Sequence, residues 1–174
     1  MKARVGLWQL GGFAATVLMG TVLHFLYDWL GEATWSAPFS GVNESTWEHM
    51  KLLFWPMLAF ALVQSRYFKD KVNFWCIKLK AILLGLSLIP IMFYTYNGAI
   101  GKSPDWINIT IFFISATISF IFEARQLKKD VITCKNSNLA LFLTFAIAFL
   151  FVLFTFYTPQ IGIFKDPITG GYGI

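Results

Sequence analysis

Five stretches of the chain are apolar over roughly the 20 residues that a helix needs to cross the hydrocarbon core of a bilayer. Polar or glycine- and proline-containing segments separate them. The pattern predicts an all-α bundle of five transmembrane helices in one domain, residues 1–174, with helices at about 5–30, 46–67, 72–96, 105–122 and 139–157. The segment 159–174 is rich in glycine and proline and is expected to form an irregular tail, either disordered or folded back over the helix ends.

The composition excludes an ordinary water-soluble protein. Hydrophobic residues make up 57% of the 174 residues and charged residues only 13%, against about a quarter in soluble domains. The mean hydropathy is +0.63. A soluble chain of this length could not bury so much apolar surface in one core, so the expected partner is the lipid bilayer. The net charge of +5 does not indicate nucleic-acid binding, because the sequence has no zinc-finger spacing or basic patch interleaved with aromatic residues.

Lysine and arginine predict the orientation, since they concentrate in cytoplasmic loops. Three of the 14 fall on one side of the predicted bundle, and the remaining eleven fall on the other: Lys2, Arg4, Arg66, Lys69, Lys71, Lys78, Lys80, Arg125, Lys128, Lys129 and Lys135. The N-terminus is therefore expected in the cytoplasm, the C-terminus outside, and the protein in the plasma membrane as a multi-pass protein. Lys78 and Lys80 are expected to extend to the inner surface. Cys76 and Cys134 fall on the cytoplasmic side and are interpreted as reduced packing residues.

The residues most capable of chemistry lie at the outer ends of the first two helices. Both histidines and four of the nine carboxylates fall within 24–49. His24 and Asp28 are four residues apart and so share a helix face. The same face carries a stripe of small residues, Gly12, Thr16 and Gly20, which favours close helix packing and directs His24 and Asp28 into the bundle.

The second helix adds Glu44, Glu48 and His49 to this region. Imidazole and carboxylate together suit zinc, manganese or non-haem iron. The sequence therefore predicts a divalent-metal site with His24, Asp28, Glu44, Glu48 and His49 as candidate ligands. In a hydrolytic or transfer reaction on a lipid-like or small substrate, Glu44 or Glu48 would act as the general base.

Other interpretations of the same residues stay open. Glu48 can close a capping box with Ser45, and His24 can be satisfied by one interhelical hydrogen bond. The carboxylates can instead bind a cation or proton for transport, with a path continued inward by a polar stripe on the fourth helix: Asn108, Ser115, Ser119 and Glu123. A third hypothesis is an accessory subunit without a site of its own. The small size favours a homo-oligomer or a partner membrane subunit.

Two runs of sequence carry a resemblance. The first, 24–29, reads HFLYDW, and the second, 39–56, reads FSGVNESTWEHMKLLFWP. They resemble a pattern in an uncharacterised family of small bacterial integral membrane proteins, written H-F-x-Y-[DE]-W followed by V-N-E-S-x-W-E-H-x-K-L-L-F. The resemblance implies a protein of the bacterial inner membrane and identifies the ionisable residues at the outer ends of the first two helices as a signature, but it implies no activity.

Overall fold

The described residues form five α-helices in the order that the hydropathy pattern predicts. A computed structural model describes residues 2–68, 72–129, 134 and 136–174. The helices are α1 (Lys2–Trp29), α2 (Thr46–Ser65), α3 (Phe74–Ala99), α4 (Asp105–Lys129) and α5 (Ser137–Phe156). A short 3₁₀ turn, Gly162–Phe164, follows. Three lysines that entered the orientation argument lie outside the described residues: Lys69, Lys71 and Lys135.

Within the described residues, four helices are long and apolar enough to cross a membrane: α1 from Arg4 onward, α3, α4 and α5. The helix α2 is more polar because Glu48, His49 and Lys51 occupy its first two turns. It also lies at the centre of the bundle, where it contacts all four other helices and buries more than half of its 20 residues. Protein therefore covers its polar start.

The stripe of small residues on α1 is confirmed as a close-packing surface. A Cβ atom added at Gly12 would lie 2.6 Å from the ring of Phe60 on α2 and 2.7 Å from that of Phe120 on α4. Thr16, one turn further along, is completely buried. Small side chains thus allow α1 to approach both neighbouring helices.

The tail folds back over the end of the bundle where α1 ends and α2 begins, which we call the outer end. Phe164 contacts Trp47 on α2, with ring centroids 4.6 Å apart. The side-chain amide of Asn43 donates to the carbonyl of Gly173 at 3.0 Å. The tail is therefore attached to the loop that precedes α2.

Cys76 and Cys134 form a disulfide, with their Cα atoms 6.1 Å apart. The prediction that both are unpaired packing residues is wrong for this structure. The pairing could not be read from the sequence because 58 residues separate the two cysteines. They meet because Asn136, directly before α5, lies next to Cys76 at the start of α3.

Candidate functional site at the outer end

His24, Glu44 and His49 come together at the outer end and are called the outer cluster. The Nε2 atom of His24 lies 3.6 Å from Oε1 of Glu44, and Nε2 of His49 lies 3.5 Å from Oε2 of the same carboxylate. The two imidazole rings have centroids 5.8 Å apart. All three side chains are partly accessible, with exposed fractions of 30%, 39% and 18% in chain order. One carboxylate thus lies between two imidazoles that face it with the same ring nitrogen.

A backbone contact sets the orientation of His49. Its Nδ1 lies 3.0 Å from the carbonyl oxygen of Ser45, one turn earlier on α2. Since a carbonyl can only accept, Nδ1 carries the proton, and the Nε2 that faces Glu44 has a free lone pair in the neutral ring. Histidines that bind metals are usually held in this way, with the second nitrogen donating to a backbone carbonyl or carboxylate.

The loop between α1 and α2 holds Glu44 over α1. The amide of Gly41 donates to the carbonyl of Leu23 at 3.2 Å. A Cβ atom added at Gly41 would lie 3.6 Å from Nδ1 of His24. Asn43, immediately before Glu44, accepts from the amide of Ser45 at 2.9 Å while it donates to the tail. The loop, the tail and the adjoining ends of α1 and α2 therefore position the side chain of Glu44.

Glu48 is near the outer cluster but forms an ion pair instead of joining it. Its Oε2 lies 2.6 Å from Nζ of Lys51 and accepts from the amide of Val42 at 3.0 Å. Only half of the expected capping box forms. The hydroxyl of Ser45 accepts a hydrogen bond from the backbone amide of Glu48. The backbone amide of Ser45, however, donates to the side chain of Asn43 and not to the Glu48 carboxylate. The carboxylate faces Lys51 because that ammonium group is completely buried and needs a counter-ion.

Asp28 is exposed and does not join the outer cluster. It lies one helical turn, about 6 Å, beyond His24, where α1 extends past the loop that packs against it. The structure thus brings together three of the five predicted ligands. Within the described ranges, no three His, Cys, Asp or Glu side chains are already arranged around one point as a metal site requires.

A cavity of about 250 Å³ adjoins the outer cluster between α1, α2 and α4. His24 and His49 contribute its polar groups together with Asn108 and Thr21. The rest of the wall is apolar: Gly20, Phe25, Leu52, Ile109, Phe112 and Phe113. Two imidazoles therefore border a space that can hold hydrocarbon.

A buried ion pair at the opposite end of the bundle, which we call the inner end, was not predicted. Lys78 on α3 and Glu123 on α4 are buried and form an ion pair, 2.5 Å from Nζ to Oε1. The amide of Gln9 on α1 donates to the same carboxylate oxygen at 2.8 Å. Lys78 was expected to extend to the membrane surface, but it points into the bundle because Glu123 provides a counter-charge there. The positions of a lysine and a glutamate 45 residues apart offer no local signal of this pairing.

The two serines of the polar stripe on α4 are satisfied within their own helix. The hydroxyl of Ser115 donates to the carbonyl of Ile111, and that of Ser119 donates to the carbonyl of Ser115, both at 2.8 Å. A Cβ atom added at Gly85 on α3 would lie 2.5 Å from the Ser119 hydroxyl oxygen, so this part of the stripe packs tightly against α3. These contacts indicate helix packing and not a water-filled path.

Comparison with known families accounts for nearly the whole chain. The profile of a family described as "Family of unknown function (DUF6512)" matches residues 2–174. The chain belongs to this family. Comparison with curated proteins and with solved structures gave no match. Membership in DUF6512 agrees with the resemblance to an uncharacterised family, and it assigns no activity to the outer cluster.

Proposed function

We propose that this member of DUF6512 is a membrane-embedded enzyme that uses a divalent metal at the outer cluster for a hydrolytic or transfer reaction. The observation that carries the proposal is the placement of the Glu44 carboxylate between the Nε2 atoms of His24 and His49, beside an apolar cavity. Two imidazoles and one carboxylate are a common protein ligand set for zinc and for non-haem iron, and both metals keep positions open for water or substrate.

The separations between ligand atoms support this ligand set. Zinc bound at about 2.0–2.2 Å holds tetrahedral ligand atoms about 3.4 Å apart. The two nitrogen–oxygen separations, each to a different oxygen of Glu44, are 3.5 and 3.6 Å, which is too long for strong direct hydrogen bonds. Binding would still require the two imidazoles to turn toward a common point, and their partial exposure leaves room for that movement.

Metal binding would divide the roles of the two glutamates. Glu44 would hold the ion together with the two imidazoles; the ion would activate a water, and the Glu44 carboxylate would be the base for its proton. Glu48 is unsuited to the role of general base because its carboxylate is held by Lys51 and by the amide of Val42. Its contribution is to hold the loop that carries Glu44.

The same proposal places the protein in a bacterial inner membrane with five spans, the outer end facing away from the cytoplasm. The segregation of lysine and arginine supports this orientation. The fifth span would be α2, which the other four helices surround. The buried and internally satisfied serines of α4 weigh against the transport alternative, since a conducting path needs polar groups that face water.

Elemental analysis of the detergent-purified protein by plasma mass spectrometry tests the proposal. Near-stoichiometric zinc, manganese or iron is expected in the wild type and in Asp28→Asn, which alters an exposed carboxylate outside the outer cluster. The metal should be lost in Glu44→Gln and in the His24→Ala/His49→Ala double variant. Size-exclusion chromatography and circular dichroism establish that each variant is folded. Absence of metal from folded wild-type protein, after supplementation with each of the three metals, would overturn the proposal and leave transport or an accessory role.

A further inference from the structure

We propose that the outer cluster acts on a membrane lipid whose hydrocarbon chain enters the cavity sideways, between α1 and α4, from the surrounding leaflet. This inference rests on the proposed function for the reaction but on separate observations for the substrate. Its basis is the shape and lining of the cavity, whereas the metal proposal depends on the ligand atoms of the outer cluster.

The cavity has a buried floor and an accessible apolar rim. Leu52 and Phe112 on its inner side are 4% and 9% exposed. At the rim, Phe25 on α1 and Ile109 and Phe113 on α4 are 43%, 58% and 40% exposed. The helices α1 and α4 are two of those long and apolar enough to cross a membrane, so this rim would face lipid tails. A water-soluble substrate would have no favourable route through it.

On each of the three helices around the cavity, one polar side chain lies outward of an apolar side chain or a glycine. On α1, His24 lies one turn outward from Gly20, and on α2, His49 lies nearly one turn outward from Leu52. The helix α4 runs in the same direction as α2, and there Asn108 lies one turn outward from Phe112. All three helices therefore present a polar group near the outer end and an apolar group or bare backbone below it. An amphiphile in the leaflet has the same order of head and chain.

The volume fits part of a chain and not a whole lipid. About 250 Å³ corresponds to roughly eight water molecules at ~30 Å³ each. Sites that enclose a small molecule usually exceed about 300 Å³. A cavity that is smaller but open at the side suits a substrate that stays largely in the bilayer, with only the chain segment next to the head group inserted.

The charge around the outer cluster restricts the head group. Asp28 is exposed in the last turn of α1 and Glu32 is exposed in the loop directly after it, so this end of the protein would repel an anionic head group unless a metal offset these charges. With the metal bound, an ester or phosphate oxygen of the head group could complete its coordination. Both groups offer the same chemistry, a hard oxygen beside a cleavable bond.

Photo-crosslinking in vesicles tests the lipid site. The protein is reconstituted in zinc-containing buffer with phosphatidylglycerol or with diacylglycerol, each carrying a diazirine near the head-group end of one chain, and the labelled residues are mapped by mass spectrometry. We expect labelling to concentrate on α1 and α4 residues that line the cavity. Labelling by phosphatidylglycerol alone would identify phosphate as the recognised group, and labelling by both would identify the ester. Even labelling of all lipid-facing helices by both probes would overturn the proposal.

Two variants separate this site from general contact with lipid. Thr21→Trp places a large side chain in the cavity mouth and should lower cavity labelling roughly tenfold, the equivalent of about 1.4 kcal/mol. Leu18→Trp, on an exposed part of α1 outside the cavity, should leave it unchanged. Equal labelling in the two variants would contradict the proposal.

The same probes distinguish the two proposals. The His24→Ala/His49→Ala variant should lose metal but keep the labelling of the apolar floor. Concentrated labelling of a wild-type protein that binds no metal would support the lipid site and overturn the metal enzyme. Stoichiometric metal together with even labelling of all lipid-facing helices would support the metal enzyme and overturn the lipid site.

Discussion

Lys51 and Glu48, three residues apart on α2, form an ion pair beneath the outer cluster, with exposed side-chain fractions of 0% and 4%. The ammonium group also donates to the carbonyl of Ala37 at 2.8 Å and to the hydroxyl of Thr155 on α5 at 3.2 Å. Lys51 therefore ties α2 to the α1–α2 loop and to the last helix. Through Val42, Glu48 ties the same loop to α2 just before Glu44.

Removing one member of this pair should cost more than removing both. Lys51→Met leaves a buried carboxylate without a counter-charge, so we expect the free energy of unfolding to fall by about 3–5 kcal/mol. The double variant Glu48→Gln/Lys51→Met leaves no uncompensated charge and should lose less. Denaturant titration in mixed micelles measures both. Equal losses would show that the ion pair is not the source of the effect.

Gly20 should tolerate no side chain, because α1 packs there against α2 and α4. An added Cβ atom would lie 2.8 Å from the ring of Phe112 and 3.0 Å from the carbonyl oxygen of Leu52, which is backbone and cannot swing away. We expect Gly20→Ala to lower the unfolding free energy by about 1–3 kcal/mol. Gly11→Ala is the matched control on the same helix. It has open space around the new atom, so better helix propensity should leave stability equal or up to about 1 kcal/mol higher. A similar loss in both variants would contradict the packing argument.

The end of the tail should depend on Gly173. This residue has φ of +66°, and an added Cβ atom would collide with the hydroxyl oxygen of Thr158. Gly173→Ala should therefore release the hydrogen bond to Asn43 and speed hydrogen–deuterium exchange over the tail and the α1–α2 loop. Strain at such a backbone angle costs about 1–2 kcal/mol. Gly162→Ala, in the same tail with only the hydroxyl of Tyr94 at 4.0 Å, is the control and should exchange as the wild type does. Unchanged exchange in Gly173→Ala would show that the tail is held by other contacts.

The disulfide between Cys76 and Cys134 should resist alkylation until a reductant is added. Since it would close a loop of 58 residues, Cys76→Ser should lower the unfolding free energy by up to about 4 kcal/mol under non-reducing conditions. Under reducing conditions, Cys76→Ser and wild type should unfold alike. The measurement combines maleimide labelling, read by mass spectrometry, with unfolding in both redox conditions. Complete labelling of both thiols in membranes isolated without reductant would show that the cysteines are free, as the predicted cytoplasmic location implies.

Much of the architecture could be predicted from local pattern. The number of helices follows from apolar stretches of about 20 residues, because a polar backbone in an apolar environment must satisfy its hydrogen bonds within each segment. The close-packed face of α1 follows from the spacing of Gly12, Thr16 and Gly20. Both are properties of neighbouring residues, which a linear sequence displays directly.

The outer cluster was predicted only in part. The sequence brought His24, Glu44 and His49 to attention because ionisable residues at helix ends in an apolar chain are unusual. It could not tell which of Glu44 and Glu48 joins the two histidines, since both are acidic and one turn apart. Lys51 decides between them, because its buried ammonium group needs a carboxylate next to it and Glu48 is the one within reach. The exclusion of Asp28 likewise depends on how far α1 extends beyond the loop.

The sequence by itself therefore determined the class of protein, the five helices and the region that holds the ionisable residues, because hydropathy and helical periodicity act over a few turns. Only the tertiary structure decided which charges pair, Glu48 with Lys51 and Lys78 with Glu123, and which side chains remain free to meet as the outer cluster. The reason is energetic: a buried charge must find a partner, and which partner it finds depends on the segments that packing brings next to it.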